Sequence, residues 1–254
     1  MMRGSCLCGG VVFDVRPPLR DVVACHCTQC RKQSGHYWAA TSVPHNHFHL
    51  VEDRGLAWYR ASPEAQRGFC RDCGAFLLWQ PEGEARISLA AGALDGPTGL
   101  HIESHWFGEV AGDYYSPEGP PAAPTLAETL HGSCLCGANR FSLPGPMGAV
   151  WSCHCSQCRK LSGHYAASFD TEEEAMDWQA RHVAEHITDG GSARGFCPDC
   201  GSSLYFRASD GSFSVEAGVI DNPTGGQISQ HIFVADKGDY YTLDDGLPQA
   251  VGRD

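Results

Sequence analysis

Short runs of β-branched and aromatic residues, punctuated by glycine and proline, set the pattern of this chain. Gly10–Val15, His36–Val43, Ala75–Trp79 and His101–Phe107 are runs of this kind, suited to a pleated, half-buried surface. Turn signals separate them, and 30 glycines and 15 prolines favour many turns over long helices. Short helices are expected over Thr28–Gln33 and Ser156–Leu161, and another over Glu172–Trp178. The expectation is mainly β with little helix. No apolar run reaches eighteen residues, so no transmembrane helix is expected.

The pattern occurs twice. Gly4–Gly9 returns as Gly132–Gly137, Cys25–Tyr37 as Cys153–Tyr165, and Arg67–Gly74 as Arg194–Gly201. Ala91-Gly92, Asp95, Pro97-Thr98-Gly99, His105 and Gly112–Tyr115 return as Ala217-Gly218, Asp221, Pro223-Thr224-Gly225, His231 and Gly238–Tyr241. The offset between copies shortens by a single residue at two places, so the chain is a tandem duplication. The expected organisation is one domain over 1–115, a linker over 116–129 and a second domain over 130–254. The prolines of Ser116–Pro124 favour an extended, semi-rigid spacer.

The formal charge of −12 argues against nucleic acid as a partner and against docking on anionic membranes. A solvated acidic surface accounts for it. With the first cysteine motif beginning at Cys6, no signal peptide is expected. Fourteen cysteines without an export signal, in close-spaced pairs, on a chain long enough to build its own cores, read as metal ligands in a reducing cytoplasm.

Each copy offers Cys-x-Cys, then Cys-x-Cys-x-x-Cys, then Cys-x-x-Cys-Gly. The last is a zinc knuckle presenting two sulfurs to one metal. A closed zinc site wants four ligands, so the knuckle Cys70 and Cys73 takes Cys6 and Cys8. The second copy groups Cys134, Cys136, Cys197 and Cys200. The triads Cys25, Cys27, Cys30 and Cys153, Cys155, Cys158 are local: residues two apart on a strand face one side, and the third follows one turn later. Four thiolates joining distant ends of a domain look structural. Three leave one position open, which is the pattern of catalytic zinc. Four zinc ions per chain are expected, two structural and two catalytic in type.

The triads could instead be closed by histidine. Alternation aims His26 and His154 away from the sulfurs, into a core or supporting role, leaving His36, His164, His105 and His231 as candidates for a fourth ligand or a substrate contact. Arg31-Lys32 and Arg159-Lys160 could bind substrate carboxylates, or face solvent at a helix end where they favour its dipole. Ser34-Gly35 and Ser162-Gly163 could shape a substrate loop or end the helix. Asp95 and Asp221 precede Pro-Thr-Gly turns, which explains them without catalysis. The repeated Gly-Asp-Tyr-Tyr reads as core plus turn.

At these motifs the chain resembles the glutathione-dependent formaldehyde-activating enzyme family, also called the GFA or CENP-V family. The resemblance covers both repeats. It implies two tandem Mss4-like zinc-binding β-sheet domains, with a structural zinc on the outer cysteine pairs and a catalytic zinc on the triad. It implies a carbon-sulfur lyase that adds glutathione to formaldehyde, giving S-hydroxymethylglutathione. The chain departs from the family pattern in being tandem, and in lacking the basic extension of chromatin- or microtubule-binding relatives.

Zinc with three thiolates carries a formal charge of −1 and is a weaker Lewis acid than zinc on histidines. Binding a thiol or a small carbonyl suits it better than activating water. The expected partners are therefore a small thiol such as glutathione and a small carbonyl, with the two domains packing as an intramolecular pseudo-dimer. Two other function classes stand beside this one. A non-enzymatic module would have all its zinc structural. A thiol redox protein would use Cys-x-x-Cys, but the βαβ context of that motif is missing.

Overall fold

The computed structural model describes residues 1–119 and 123–253. Residues 120–122, inside the expected linker, and residue 254 lie outside the described residues. The first repeat has ten strands: β1 (Met2–Ser5), β2 (Val12–Val15), β3 (Val22–Cys25), β4 (Trp38–Pro44), β5 (Phe48–Glu52), β6 (Leu56–Ser62), β7 (Ala65–Cys70), β8 (Phe76–Pro81), β9 (Arg86–Ala90) and β10 (Ile102–Trp106). The second has β11 (Thr129–Ser133), β12 (Arg140–Pro144), β13 (Gly148–Cys153), β14 (Ala166–Thr171), β15 (Asp177–Ala180), β16 (Ala184–Ile187), β17 (Ala193–Phe196), β18 (Ser203–Arg207), β19 (Phe213–Glu216) and β20 (Gly226–Ile232). Two short α-helices, α1 (Thr28–Ser34) and α2 (Ser156–Ser162), are found among the described residues.

The sheets repeat strand for strand. A three-stranded sheet, β1-β2-β5, lies beside a seven-stranded one, β10-β3-β4-β9-β8-β7-β6. The second repeat gives β11-β12-β15 and β20-β13-β14-β19-β18-β17-β16. Pairing is antiparallel except at one edge, where β10 joins β3 and β20 joins β13 in parallel. Trp38–Val43 is buried along its whole length. That burial on both faces explains the lack of apolar–polar alternation, with Thr41 and Ser42 buried beside the apolar residues.

Glu172–Trp178 is not an α-helix. Glu173–Ala175 forms one 3-10 turn, and Trp178 enters strand β15, where it packs on Phe141 with ring centroids 5.1 Å apart. Three consecutive glutamates supply no apolar stripe, so the segment gains more by laying Trp178 on the small sheet.

The repeats meet along a reciprocal seam. Residues 112–115 leave the first repeat and pack on the second: Ile228 N donates to Tyr114 O, and Asp113 accepts from Thr224 N and Oγ1 at 2.9 and 2.7 Å. Residues 238–241 return the exchange: Ile102 N donates to Tyr240 O, and Asp239 accepts from Thr98 N, Thr98 Oγ1 and Gly99 N. Tyr114 is buried in the core of the second repeat. The repeated Gly-Asp-Tyr-Tyr and Pro-Thr-Gly are thus the two halves of one clasp, made twice. Backbones also touch directly, with Gly92 N donating to Gly163 O and Gly218 N to Gly35 O.

Candidate metal centres

The fourteen cysteine sulfurs gather into four groups, each with its sulfurs within 4.8 Å of one another. Cys6, Cys8, Cys70 and Cys73 form one, and Cys134, Cys136, Cys197 and Cys200 its counterpart. The turn after β1 supplies the first pair and the turn between β7 and β8 the second. Gly74, at φ +76°, closes the knuckle in a conformation that only glycine adopts without strain. The other groups are Cys25, Cys27, Cys30 and Cys153, Cys155, Cys158.

No disulfide is formed among the described residues. Sulfurs in the four-membered groups approach to 3.5–3.6 Å. That is far beyond a disulfide and close to the edge, about 3.8 Å, of a tetrahedron with metal–sulfur bonds of about 2.3 Å. Backbone N–H groups point at the sulfurs: Val11 N donates to Cys6 Sγ and Asn139 N to Cys134 Sγ, both at 3.2 Å. Such donors favour thiolate, so the donor set suits a thiophilic cation.

The triads are assembled where a strand meets a helix. Cys25 ends β3, Cys27 caps α1 by accepting from Cys30 N, and Cys30 lies in the first turn. Cys153, Cys155 and Cys158 repeat this on β13 and α2. Both helices end at a left-handed glycine, Gly35 or Gly163, and Ser34 Oγ donates back to Cys30 O. Contacts with Cys25 and Cys30, then the Cys30 N–H and the Arg67 charge, hold the Cys27 thiol well below its ordinary pKa. Cys153, Cys158 and Arg194 act likewise on Cys155.

Arg67 and Arg194 carry the signal that sequence reading passed over. Each is buried beside a triad: Arg67 Nη1 lies 3.6 Å from Cys30 Sγ, and Arg194 Nη1 3.8 Å from Cys158 Sγ. Each also reaches a glutamine of the triad helix, Gln29 or Gln157. Both precede a Cys-x-x-Cys-Gly turn at the same spacing in a strongly acidic chain, which was the available clue. A guanidinium here offsets part of the negative charge of three thiolates.

No histidine joins a triad among the described residues. His36 Nδ1 pairs with Tyr114 OH at 2.8 Å and Nε2 with Tyr165 OH at 3.2 Å. His164 pairs with Tyr240 and Tyr37 at 2.9 and 2.7 Å. His105 and His231 pair with His26 and His154, which pair in turn with Tyr115 and Tyr241. These rings form the polar heart of the seam. A cavity of about 570 Å³ opens there, lined by His26, His105 and His231 among others and by none of the cysteines.

The basic residues after the triads also reach across the seam. Arg31 donates to Gly218 O and Ile220 O, and Arg159 to Gly92 O and Leu94 O. Lys32 pairs with Asp221 and Lys160 with Asp95. The aspartates therefore do more than make turns.

The family model for glutathione-dependent formaldehyde-activating enzymes matches residues 1–109 and again 129–236. A putative glutathione-dependent formaldehyde-activating enzyme of Halomonas elongata is 36% identical over 86 residues, covering 30% of this chain and 54% of its own length. An uncharacterized lyase of Schizosaccharomyces pombe is 23% identical over 43% of this chain and 82% of its own. Among solved structures, a Rhodobacter sphaeroides protein is 25% identical, covering 41% of this chain and 99% of its own, with a TM-score of 0.34.

Proposed function

The chain belongs to the glutathione-dependent formaldehyde-activating enzyme family, and from that membership we propose that it is a zinc-dependent lyase-type enzyme joining glutathione or a similar thiol to formaldehyde or a related small carbonyl. In the joining direction the sulfur–carbon bond forms, the carbonyl π bond opens, and the thiol proton ends on the new hydroxyl oxygen. The observation that carries this reading is the repeated triad, three sulfurs without a fourth protein ligand among the described residues. Zinc held there would supply one further coordination position for a thiol sulfur or a carbonyl oxygen.

The protein's own groups have separate tasks. Cys6, Cys8, Cys70 and Cys73, with Cys134, Cys136, Cys197 and Cys200, would hold the structural ions that fasten the chain's turns. Cys25, Cys27 and Cys30, and Cys153, Cys155 and Cys158, would hold the reactive ones. Arg67 and Arg194 temper the negative charge of the triads. The capping bonds at Cys27 and Cys155 fix the direction of a sulfur that would otherwise rotate.

A thiol other than glutathione is the second reading. It is favoured by one observation: Arg31, Lys32, Arg159 and Lys160, the cations nearest the triads in sequence, are all spent across the seam. The test mixes protein, formaldehyde and glutathione and follows exchange between free and adduct signals by NMR, against the uncatalysed rate. Acceleration that disappears in the Cys27→Ser, Cys155→Ser double variant supports the assignment. Equal rates with wild type and variant end it. Acceleration with another thiol alone selects the second reading.

A further inference from the structure

The repeats have the same folds and ligands, yet their triads have different neighbours. At the first, the Arg67 guanidinium bonds Cys30 Sγ and, at 3.4 Å, Gln33 Oε1. Gln33 is itself buried, and its Nε2 donates to Cys200 O at 2.7 Å. A continuous polar chain therefore runs from Cys30 through Arg67 and Gln33 to the zinc knuckle of the other repeat. At the second triad the position of Gln33 is held by Leu161, which packs in the apolar core of the first repeat. No such chain returns among the described residues.

A second difference concerns charge. Trp38, Phe76 and Ala90 of the first repeat correspond to Ala166, Ser203 and Glu216 of the second. In the first, Trp38 stacks on Phe76 with centroids 4.3 Å apart. In the second, that space admits a buried carboxylate, Glu216, which acts electrostatically on Arg194. Glu216 Oε2 and Arg194 Nε are both buried without a hydrogen-bond partner. Both guanidiniums lie over an aromatic ring, Arg67 over Phe76 at 5.5 Å and Arg194 over Phe206 at 4.8 Å, but among the described residues Glu216 is the one buried carboxylate and the first repeat has Ala90 in its place.

We propose that the two triads are unequal, and that Cys25, Cys27 and Cys30 form the site that takes an anionic thiol, because Gln33 aims an uncompensated Arg67 charge at it while Glu216 offsets Arg194 at the other. Gln33 and Glu216 are positioning and tuning residues, since neither touches a reacting atom. The inference rests on the metal-holding reading of the triads given above. It assigns the second triad a weaker hold on negatively charged ligands, and with it a preference for neutral ones.

The test uses two full-length proteins, each with one intact triad, made by Cys153→Ser with Cys155→Ser or by Cys25→Ser with Cys27→Ser. Both are loaded with cobalt(II) and titrated with glutathione at about pH 8, where Glu216 carries its charge. The sulfur-to-cobalt absorption reports binding. The first-triad protein should bind about tenfold more tightly, about 1.4 kcal/mol. Glu216→Gln should tighten the second-triad protein, and Gln33→Leu should weaken the first. Gln matches Glu in shape, and Leu is what the second repeat already carries, so folding is preserved and circular dichroism checks it. Equal affinities, or no response to either substitution, overturn the proposal while leaving the metal sites standing. Absence of any thiol response in both proteins overturns the metal-site reading and the proposal with it.

Discussion

Lys32 Nζ lies 2.8 Å from Asp221 Oδ1, and the same pair recurs as Lys160 and Asp95 at 2.7 Å. Each ties a triad helix to the opposite repeat. The Lys32 side chain is only 10% exposed, against 52% for Asp221. Removing the aspartate therefore leaves a nearly buried ammonium without its counter-charge, with Ser133 Oγ as its remaining partner. Asp221→Ala should cost about 1–3 kcal/mol in thermal or denaturant unfolding. Adding Lys32→Met to Asp221→Ala should recover part of that loss.

Gly92 and Gly218 allow the two backbones to touch. A Cβ at Gly92 would stand 2.5 Å from Arg159 O, and one at Gly218 would stand 2.3 Å from the Gly35 carbonyl carbon. Backbone cannot yield as a flexible side chain does. Gly92→Ala and Gly218→Ala should each cost about 3 kcal/mol or more. A melting curve checks this, and Gly190→Ala, where φ is not left-handed and a Cβ would meet only Thr188 Oγ1 at 4.0 Å, separates steric cost from ordinary glycine effects.

The mainly β character, the two α-helices and the cysteine groups were legible because local pattern encodes them, while the third helix expected over Glu172–Trp178 was not formed. Strand-length apolar runs, the Cys-x-x-Cys spacing and the glycines after it need no knowledge of distant residues. The seam was not legible. Arg31, Lys32 and His36 look like functional polar residues in sequence, and only tertiary packing shows that Gly218 O, Asp221 and Tyr114 are their partners. Arg67 and Gln33 were missed for the same reason: their roles depend on Cys30 and Cys200, the latter 167 residues away from Gln33.

Acid should open the seam. Burial first, then neighbouring histidine charge, holds His26 and His154 down at about 3, and His36 and His164 well below their ordinary value. Unfolded histidine takes its proton near 6.5, while these four refuse it when folded. The stability they confer is complete above about 6.5 and falls as pH drops toward 3. Melting temperatures between pH 7 and 5 should fall steeply. His36→Asn should be less stable at pH 7 but should show a shallower slope.

Glu216 works in the opposite sense. Burial pushes its carboxyl up to about 7, against the pull of Arg194 and Ser203. The folded chain prefers the neutral acid, so this contribution is present below about 4.5 and lost as pH rises through about 7, a change of about 3 kcal/mol. Glu216→Gln should gain stability relative to wild type across that window and hold the gain above it. Paired unfolding curves at several pH values give the difference, in which the histidine effect cancels.

Metal content divides the readings by count. Elemental analysis should give four zinc per chain, and two would remove either the triads or the four-cysteine groups from the proposal. Chelation should lower the melting temperature, since metal bound only by the folded chain stabilises it by mass action.

The exchanged Gly-Asp-Tyr-Tyr arms make the fused chain behave as two protomers that cannot part. In a dimer of identical subunits every substitution appears on both sides of the twofold axis. A Glu216 introduced there would offset both guanidiniums, and a Gln33 would brace both triads. Fusion lifts that restriction. One half can keep one ligand preference while the other is free to acquire its own, at the fixed one-to-one ratio that a single chain guarantees.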